Sequence, residues 1–220
     1  MKLLWDQVGQ RQYETGASHG ALFVQNETTG AFEEGVAWNG LVAVRQSPDG
    51  AEETALYADN IKYLGLTSAE NFKGTIEAFT YPDEFSACDG SAEVATGVHV
   101  GQQPRKPFGF AYTTIVGNDV KGNAFGEKLH VIYNAKVAPT ERAYETVNET
   151  PAAITFSWAF TTTPVQVEAT GVAPTAYITF DSTVMTPESY AKVKDALFGT
   201  ELLEPKLPTI DELLALVVTV

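Results

Sequence analysis

Seven residues, Ile154 to Phe160, constrain this chain more than any other stretch. Ile154, Phe156, Trp158 and Phe160 alternate without a break against Thr155, Ser157 and Ala159. Strict period two over that length describes a β-strand with one aromatic face, and a helix does not produce it. Burying such a row stabilises a core by several kcal/mol at roughly 25 cal/mol per Å², so the chain needs other strands to cover it. Phe108 to Val116 supplies one, with Phe108, Phe110 and Tyr112 set against Gly109, Ala111 and Thr113. Glu127 to Val137 supplies another. Leu129, Val131 and Tyr133 lie on one face of it and His130, Ile132 and Asn134 on the other, which predicts a central strand covered on both sides. Ala21 to Val24 reads as a short strand closed by the turn formers Asn26 to Gly30, and Val165–Glu168 and Ala176–Asp181 complete the β content.

The stretch Gly35 to Phe85 reads as a display surface. Val36, Trp38, Val42 and Val44 are expected on one strand face, with Asn39 and Arg45 on the other and a bulge or close approach at Gly40. The turn Ser47-Pro48-Asp49-Gly50 leads to an acidic tip at Glu52-Glu53. Two further β runs follow, Leu56 to Leu66 and Lys73 to Tyr81. Thr67-Ser68-Ala69-Glu70 has capping-box form and predicts a single helical turn near Ala69–Phe72. Residues 82–107, punctuated by Pro82, Gly90, Gly97, Gly101, Pro104 and Pro107, read as a long excursion.

Helix signals appear late. Thr186 is a good N-cap, Pro187 suits the first helical position, Tyr190, Val193 and Leu197 share one face, and Gly199 ends the helix. Thr209-x-x-Glu212 caps a final turn or two carrying Ile210, Leu213 and Leu214, which must pack back or on another subunit. Many strands followed by a flanking helix describe a mainly β fold, a sandwich or barrel with a helix on its side and long loop excursions. One domain over residues 1–220 is expected, with a polar N-terminal arm over 1–19, containing at most one short strand, and a C-terminal arm over 200–220.

Composition excludes more than it assigns. With 44% apolar residues over 220 positions the chain can bury a core and is not disordered. The net charge of −14 argues against a surface that grips nucleic acid, which needs Lys and Arg. Residues 51–100 hold nine carboxylates and two cations, half of that net charge. The single cysteine, Cys88, excludes an intrachain disulfide and fits assembly in a reducing compartment. The N-terminus MKLLWDQVGQRQYE is not a signal peptide, and the apolar run Leu213 to Val220 is far too short to cross a bilayer; a soluble protein made in the cytoplasm is expected.

No motif in the chain carries chemistry. His19, His99 and His130 are not at metal-ligand spacing, Asp83, Glu84 and Asp89 lack the calcium-loop pattern, and neither a phosphate loop nor a nucleophile elbow occurs. The aromatics, Trp5, Trp38 and Trp158 among them, sit mainly at strand positions and read as core. Catalytic, cofactor-binding and metal-binding residues are therefore all expected to be absent, and the chain offers no candidate enzyme site.

The run LYADNIKYLGLTSAENFKGTIEAFTYPDEFSACDG resembles the corresponding stretch of the major tail (tail tube) proteins of long-tailed, non-contractile bacteriophages. So do KLLWDQVGQRQYETGASHGALF, GVAWNGL, GQQPRKPFGFAYTTIVGND and ITFSWAFTTTPV before PTAYITFDS. The resemblance spans nearly the whole chain. It implies a subunit that forms six-membered rings stacked head to tail into a tube, the conduit for DNA ejection, in a virion assembled in the host cytoplasm. Implied partners are the chain itself, a tape measure protein, a tail terminator and baseplate or distal tail proteins, with DNA passing through without specific binding and no membrane contact. The family offers no catalytic residue to carry over. Some relatives carry an added immunoglobulin-like domain, expected to be absent here because the chain ends soon after its helix.

A tube needs one heterologous contact that closes a ring and another that repeats along the axis. The loop containing Ser47, Asp49, Glu52, Glu53 and Thr54 is the expected contact with the next ring. Acidic residues such as Glu77 are expected to line the lumen, where they would repel DNA. Two other classes remain open from the residues alone: a monomeric β-sandwich module binding carbohydrate through exposed aromatics, and a hydrolase with two facing carboxylates. A tube subunit of a secretion or contractile injection apparatus would share the architecture and is set aside only by the resemblance.

Overall fold

The computed structural model describes residues 2–147, 149 and 152–217. The end of the apolar C-terminal run, residues 218–220, lies outside the described residues. The strands are β1 (Gln12–Val24), β2 (Val36–Trp38), β3 (Leu41–Gln46), β4 (Glu53–Ala58), β5 (Ile61–Thr67), β6 (Lys73–Ala78), β7 (Ala92–Ala95), β8 (Val98–Val100), β9 (Phe108–Asn118), β10 (Gly122–Val137), β11 (Phe156–Thr162) and β12 (Tyr177–Asp181). A 3-10 turn, Asp83–Phe85, runs into the short helix α1 (Ser86–Asp89), and α2 (Pro187–Phe198) and α3 (Ile210–Val217) close the chain. The fold is mainly β with flanking helices, as the strand pattern predicts.

One antiparallel sheet carries the order β2-β1-β9-β10-β11-β6-β3, with β12 also paired to β10. Its two end strands, β2 and β3, are separated in sequence only by Asn39 and Gly40, so the sheet has to curl until its ends meet. Gly40 makes that corner at φ 72°, a left-handed conformation that glycine adopts without a side-chain clash. The result is a barrel-like sandwich in which β1, β9 and β10 form one layer and β11, β6 and β3 the other. Between them lie Leu22, Trp38, Ile76, Phe85, Phe108, Phe110, Ile132, Trp158 and Phe160, all buried. The helices cover the opposite face of β1, β9 and β10 through Phe23, Leu129, Val131, Tyr133, Phe180, Val193, Leu197, Ile210 and Leu213. Strand β10 is thus covered on both sides, as its two bulky faces require.

Aromatic rings dominate the inner core. Trp38 packs on Phe85 at 4.4 Å and on Trp158 at 5.4 Å between ring centres, and Phe85 meets Phe108 edge-on at 5.5 Å. Phe85 is fully buried and comes from the excursion over residues 82–107, where the 3-10 turn plugs one end of the barrel. Each such Phe contributes roughly 1.5–3 kcal/mol. On the outer face, Gly109 has no side chain where Leu207 seats: a Cβ there would lie 2.1 Å from a Leu207 methyl. That close approach lets the segment before α3 lie flat on β9. Helix α2 starts as expected, with Ser189 N–H donating to Thr186 Oγ1 at 3.3 Å. The capping box before α3 closes reciprocally, Thr209 N–H to Glu212 Oε2 at 2.8 Å and Glu212 N–H to Thr209 Oγ1 at 3.2 Å. The tail packs back onto its own domain.

Several local expectations are corrected. Strand β1 starts at Gln12, well before Ala21; left-handed residues at Gly16 and His19 shift its register and erase the alternation that would have shown it. Val42 is 41% exposed, because an irregularity between Leu41 and Ala43 turns it outward while Leu41 and Val44 pack on the core. The run Leu56–Leu66 is not one strand: Asp59 and Asn60, both at positive φ, make a two-residue hairpin turn within it. No helical turn forms at 69–72, since Asn71 is tied to Asp49 by backbone hydrogen bonds in both directions. Ile154 precedes β11 and is 37% exposed, and Val165 makes only an isolated bridge with Thr175. Trp5 is not core; it is 71% exposed.

Candidate assembly surface

The lower half of the sheet has an unusual boundary. Residues 12–18 of β1, 113–118 of β9, 122–132 of β10 and all of β12 form a four-stranded antiparallel sheet. Among the described residues neither β12 nor that part of β1 is paired on its outer side. Tyr133 N–H donates to Ala176 O at 2.8 Å and Ser182 N–H to Glu127 O at 3.0 Å. Alternation along an antiparallel ladder then turns the N–H groups of Thr179 and Asp181 outward. On the other edge Asp119 N–H donates to Arg11 O at 3.2 Å, which turns those of Gln12 and Glu14 outward. Unpaired edges of this kind are templates for another strand.

One face of this half-sheet lies under α2, and the other opens as a polar hollow of 410 Å³. Glu14 accepts hydrogen bonds from Lys128 Nζ and Thr114 Oγ1, each at 2.7 Å. His130, 6% exposed, has Nε2 2.8 Å from Thr114 Oγ1 and Nδ1 2.6 Å from the Tyr177 hydroxyl. Gln46 Nε2 donates to the hydroxyls of Tyr112 and Tyr177 at 2.8 and 2.9 Å. Burial pushes the proton affinity of His130 down, opposed by the Glu14 carboxylate. Burial also pushes the Glu14 carboxyl up, but hydrogen bonds from Lys128 and Thr114 and the Lys128 charge outweigh it and hold the group below its ordinary value. Every polar group here is satisfied by another, so the cluster reads as a stiff polar floor and presents no unpaired nucleophile or base.

Two hairpins stand off the body. Among the described residues β4 and β5 pair only with each other, as do β7 and β8. Along β4–β5 only Ala55 is even half-buried, while Leu56, Tyr57, Ile61, Tyr63, Leu64 and Leu66 are exposed. The loop expected to touch the next ring sits at the base of this projection. Ser47 N–H donates to Lys73 O at 2.8 Å, Asp49 pairs with Lys73, and Glu53 and Thr54 already belong to β4, where Glu53 pairs with Lys62. The tip is Asp59-Asn60, not Glu52-Glu53. Lys73 holds the Asp49 carboxyl below its ordinary range through a hydrogen bond and its charge. Glu77 lies on the outward face of β6, where Arg45 forks onto it at 3.0 and 3.2 Å. That face looks away from the helices.

Among the described residues no group of three or more His, Cys, Asp or Glu is placed to hold a metal ion. His19 touches Ser18 and Thr113, at 3.0 and 3.1 Å, but no carboxylate orients it. Cys88 is buried in the core, and burial pushes its thiol up to about 12. No helix among the described residues is long and apolar enough to cross a membrane.

No protein-family model and no curated protein matches the chain. Among solved structures it is similar to a chain in the sheath–tube complex, in the extended state, of an extracellular contractile injection system (PVC). That match is 12% identical, covers 74% of this chain and 88% of that chain, and has a TM-score of 0.31. A likeness of that degree carries no weight for function.

Proposed function

We propose that this chain is a self-assembling tail tube subunit of a long-tailed, non-contractile phage, with no catalytic role and no cofactor. The observation that carries the reading is the four-stranded half-sheet with two unpaired edges. Because β1, β9, β10 and β12 alternate in direction, β12 of one copy meets β1 of the next antiparallel, and the pattern repeats through any number of copies without a mismatch. Six copies, the number the resemblance implies, would close a barrel of 24 strands, about 45 Å between opposite backbones at typical strand spacing and tilt. The helix-covered face cannot line such a channel, so the opposite face, bearing Glu14 and Lys128, would do so, and Glu77, on the outward side of β6 in the other layer, would stand toward the same lumen. With its excess of carboxylates, the chain offers DNA little to hold.

In this reading the β4–β5 projection, with Ser47, Asp49, Glu52, Glu53 and Thr54 at its base, contacts the next ring. Tape measure, terminator and distal tail proteins complete the virion. The test is Thr179→Pro, which blocks the outer edge of β12 without removing a backbone hydrogen bond inside the subunit; the one internal bond it takes away is the long contact of the Thr179 hydroxyl with His130 Nδ1 at 3.4 Å. Wild type, concentrated and viewed by negative stain beside a sizing profile, should give rings or hollow tubes. Thr179→Pro should keep the wild-type circular dichroism spectrum and stay monomeric. Tubes from Thr179→Pro would refute the edge joint. A wild type that never associates would favour the carbohydrate-binding module instead.

A further inference from the structure

We propose that the loop before β12 of one copy, Val172-Ala173-Pro174, fills the apolar groove under β2 of the next copy; this rests on the edge joint above and names what lies beyond its ladder. The groove holds 670 Å³ beside the open part of β1, between β2, the Asn39-Gly40 corner and the end of α2. Ala21, Val36, Trp38, Leu197 and Pro205 give it an apolar wall. Its lining has no carboxylate, and its one lysine, Lys194, is already paired with Glu127.

The free backbone groups fix the register of the joint. Thr175 closes off the upper end of the β12 edge: its Oγ1 accepts from Tyr177 N–H at 3.3 Å and donates to Tyr177 O at 3.1 Å. That leaves the outward N–H groups of Thr179 and Asp181 on β12, and those of Gln12 and Glu14 on β1. Residues that exchange hydrogen bonds in an antiparallel ladder sit directly opposite each other. One register engages all four, with Thr179 facing Glu14 of the next copy and Asp181 facing its Gln12. β2 limits any upward slip, because it takes the outer edge of β1 from Gly20 to Leu22.

Counted back from that register, Pro174, Ala173 and Val172 come level with His19, Gly20 and Ala21, which line the groove. Pro174 has no N–H to give a ladder, so the chain can leave the edge of β1 there, just where β2 takes over. The segment also suits the wall it meets. Gly171 to Pro174 are all exposed, and between Glu168 and Asp181 no residue carries a charge. The loop cannot fill the groove of its own subunit. Strands β9 and β10 separate β12 from β1, which puts three strand spacings, about 14 Å of sheet, between the two.

The experiment combines Ala37→Cys and Val172→Cys in one chain, oxidised under the conditions in which wild type assembles. Ala37 is exposed and lines the groove. The two positions lie at opposite edges of the sheet and Cys88 is buried, so the disulfide can form only between copies. A ladder of cross-linked oligomers on a denaturing gel without reductant, absent from either single substitution, is the expected result. Val172→Asp, at a half-exposed position, should keep the wild-type circular dichroism spectrum and cut pelletable tubes at least tenfold. Ala37→Trp, which fills the groove from its own side, should do the same. Tubes without a ladder from the double-cysteine chain, or normal tubes from Val172→Asp, overturn the groove contact and leave the tube reading standing. A wild type that never associates overturns both.

Discussion

Two tryptophans in one aromatic cluster should respond to the same substitution in different ways. Trp38 and Trp158 are 2% and 1% exposed, and their rings meet at 5.4 Å. Trp38 Nε1–H donates to Thr80 O at 2.8 Å, whereas Trp158 Nε1 is buried with no acceptor. Changing either indole to phenyl removes roughly 40 Å³, and at about 24 cal/mol per Å³ of cavity that costs about 1 kcal/mol, with a transfer loss of similar size. For Trp158→Phe, removing the orphan donor returns about 1–3 kcal/mol. The variant should stay within about 1 kcal/mol of wild type. Trp38→Phe gains no such return and loses a hydrogen bond worth about 1 kcal/mol, so it should cost about 3 kcal/mol. Equilibrium urea unfolding of the monomer should separate the two midpoints by close to 1 M at a slope of about 2–3 kcal/mol per M. Equal losses in the two variants would refute the reasoning, since they differ only in the fate of one N–H.

Stability should fall on acidification in two stages. Unfolded His130 takes a proton near its ordinary value of 6.5, but the buried ring, set among Glu14, Lys128, Tyr112 and Tyr177, resists it. The unfolded state then binds more protons below about pH 6.5 and stability drops from there. Glu14, held below its ordinary value of 4.5, adds a contribution present above that pH and lost as the carboxylate protonates below it. Urea midpoints between pH 7.5 and 5.5 should fall for wild type and stay flat for His130→Gln; a flat wild-type profile would contradict this. Cys88, with its thiol pushed up to about 12 and no exposed surface, should react with a thiol reagent at pH 8 at least a hundredfold more slowly in the native state than in urea. Comparable rates would mean that the core around it opens readily.

What is legible in the sequence comes from side chains that report their own environment. The alternation of Phe156, Trp158 and Phe160, the two bulky faces of β10 and the Thr186-Pro187 start of α2 each depend on residues a few positions apart. What the side chains leave hidden depends on the backbone. Gly16 and His19, at positive φ, break the period of β1, and the Asp59-Asn60 turn is concealed inside an apolar run that reads as a continuous strand. Phe85 reads as part of a loop because nothing local shows that a 3-10 turn will carry it into a barrel end. Of the surface residues that the sequence singles out, Asp49, Glu53 and Glu77 prove to be ion-paired.

The sequence by itself therefore determined that this is a β protein with a late flanking helix, acidic and poor in chemistry, because hydrophobic period, capping and charge are local properties. Only the tertiary structure decided that β12 and the first half of β1 are left as opposite open edges of one sheet and that two hairpins stand uncovered. Those facts concern which backbone hydrogen bonds remain unmade after every strand has chosen its neighbours. No residue carries that information alone, since pairing is settled by the whole sheet at once.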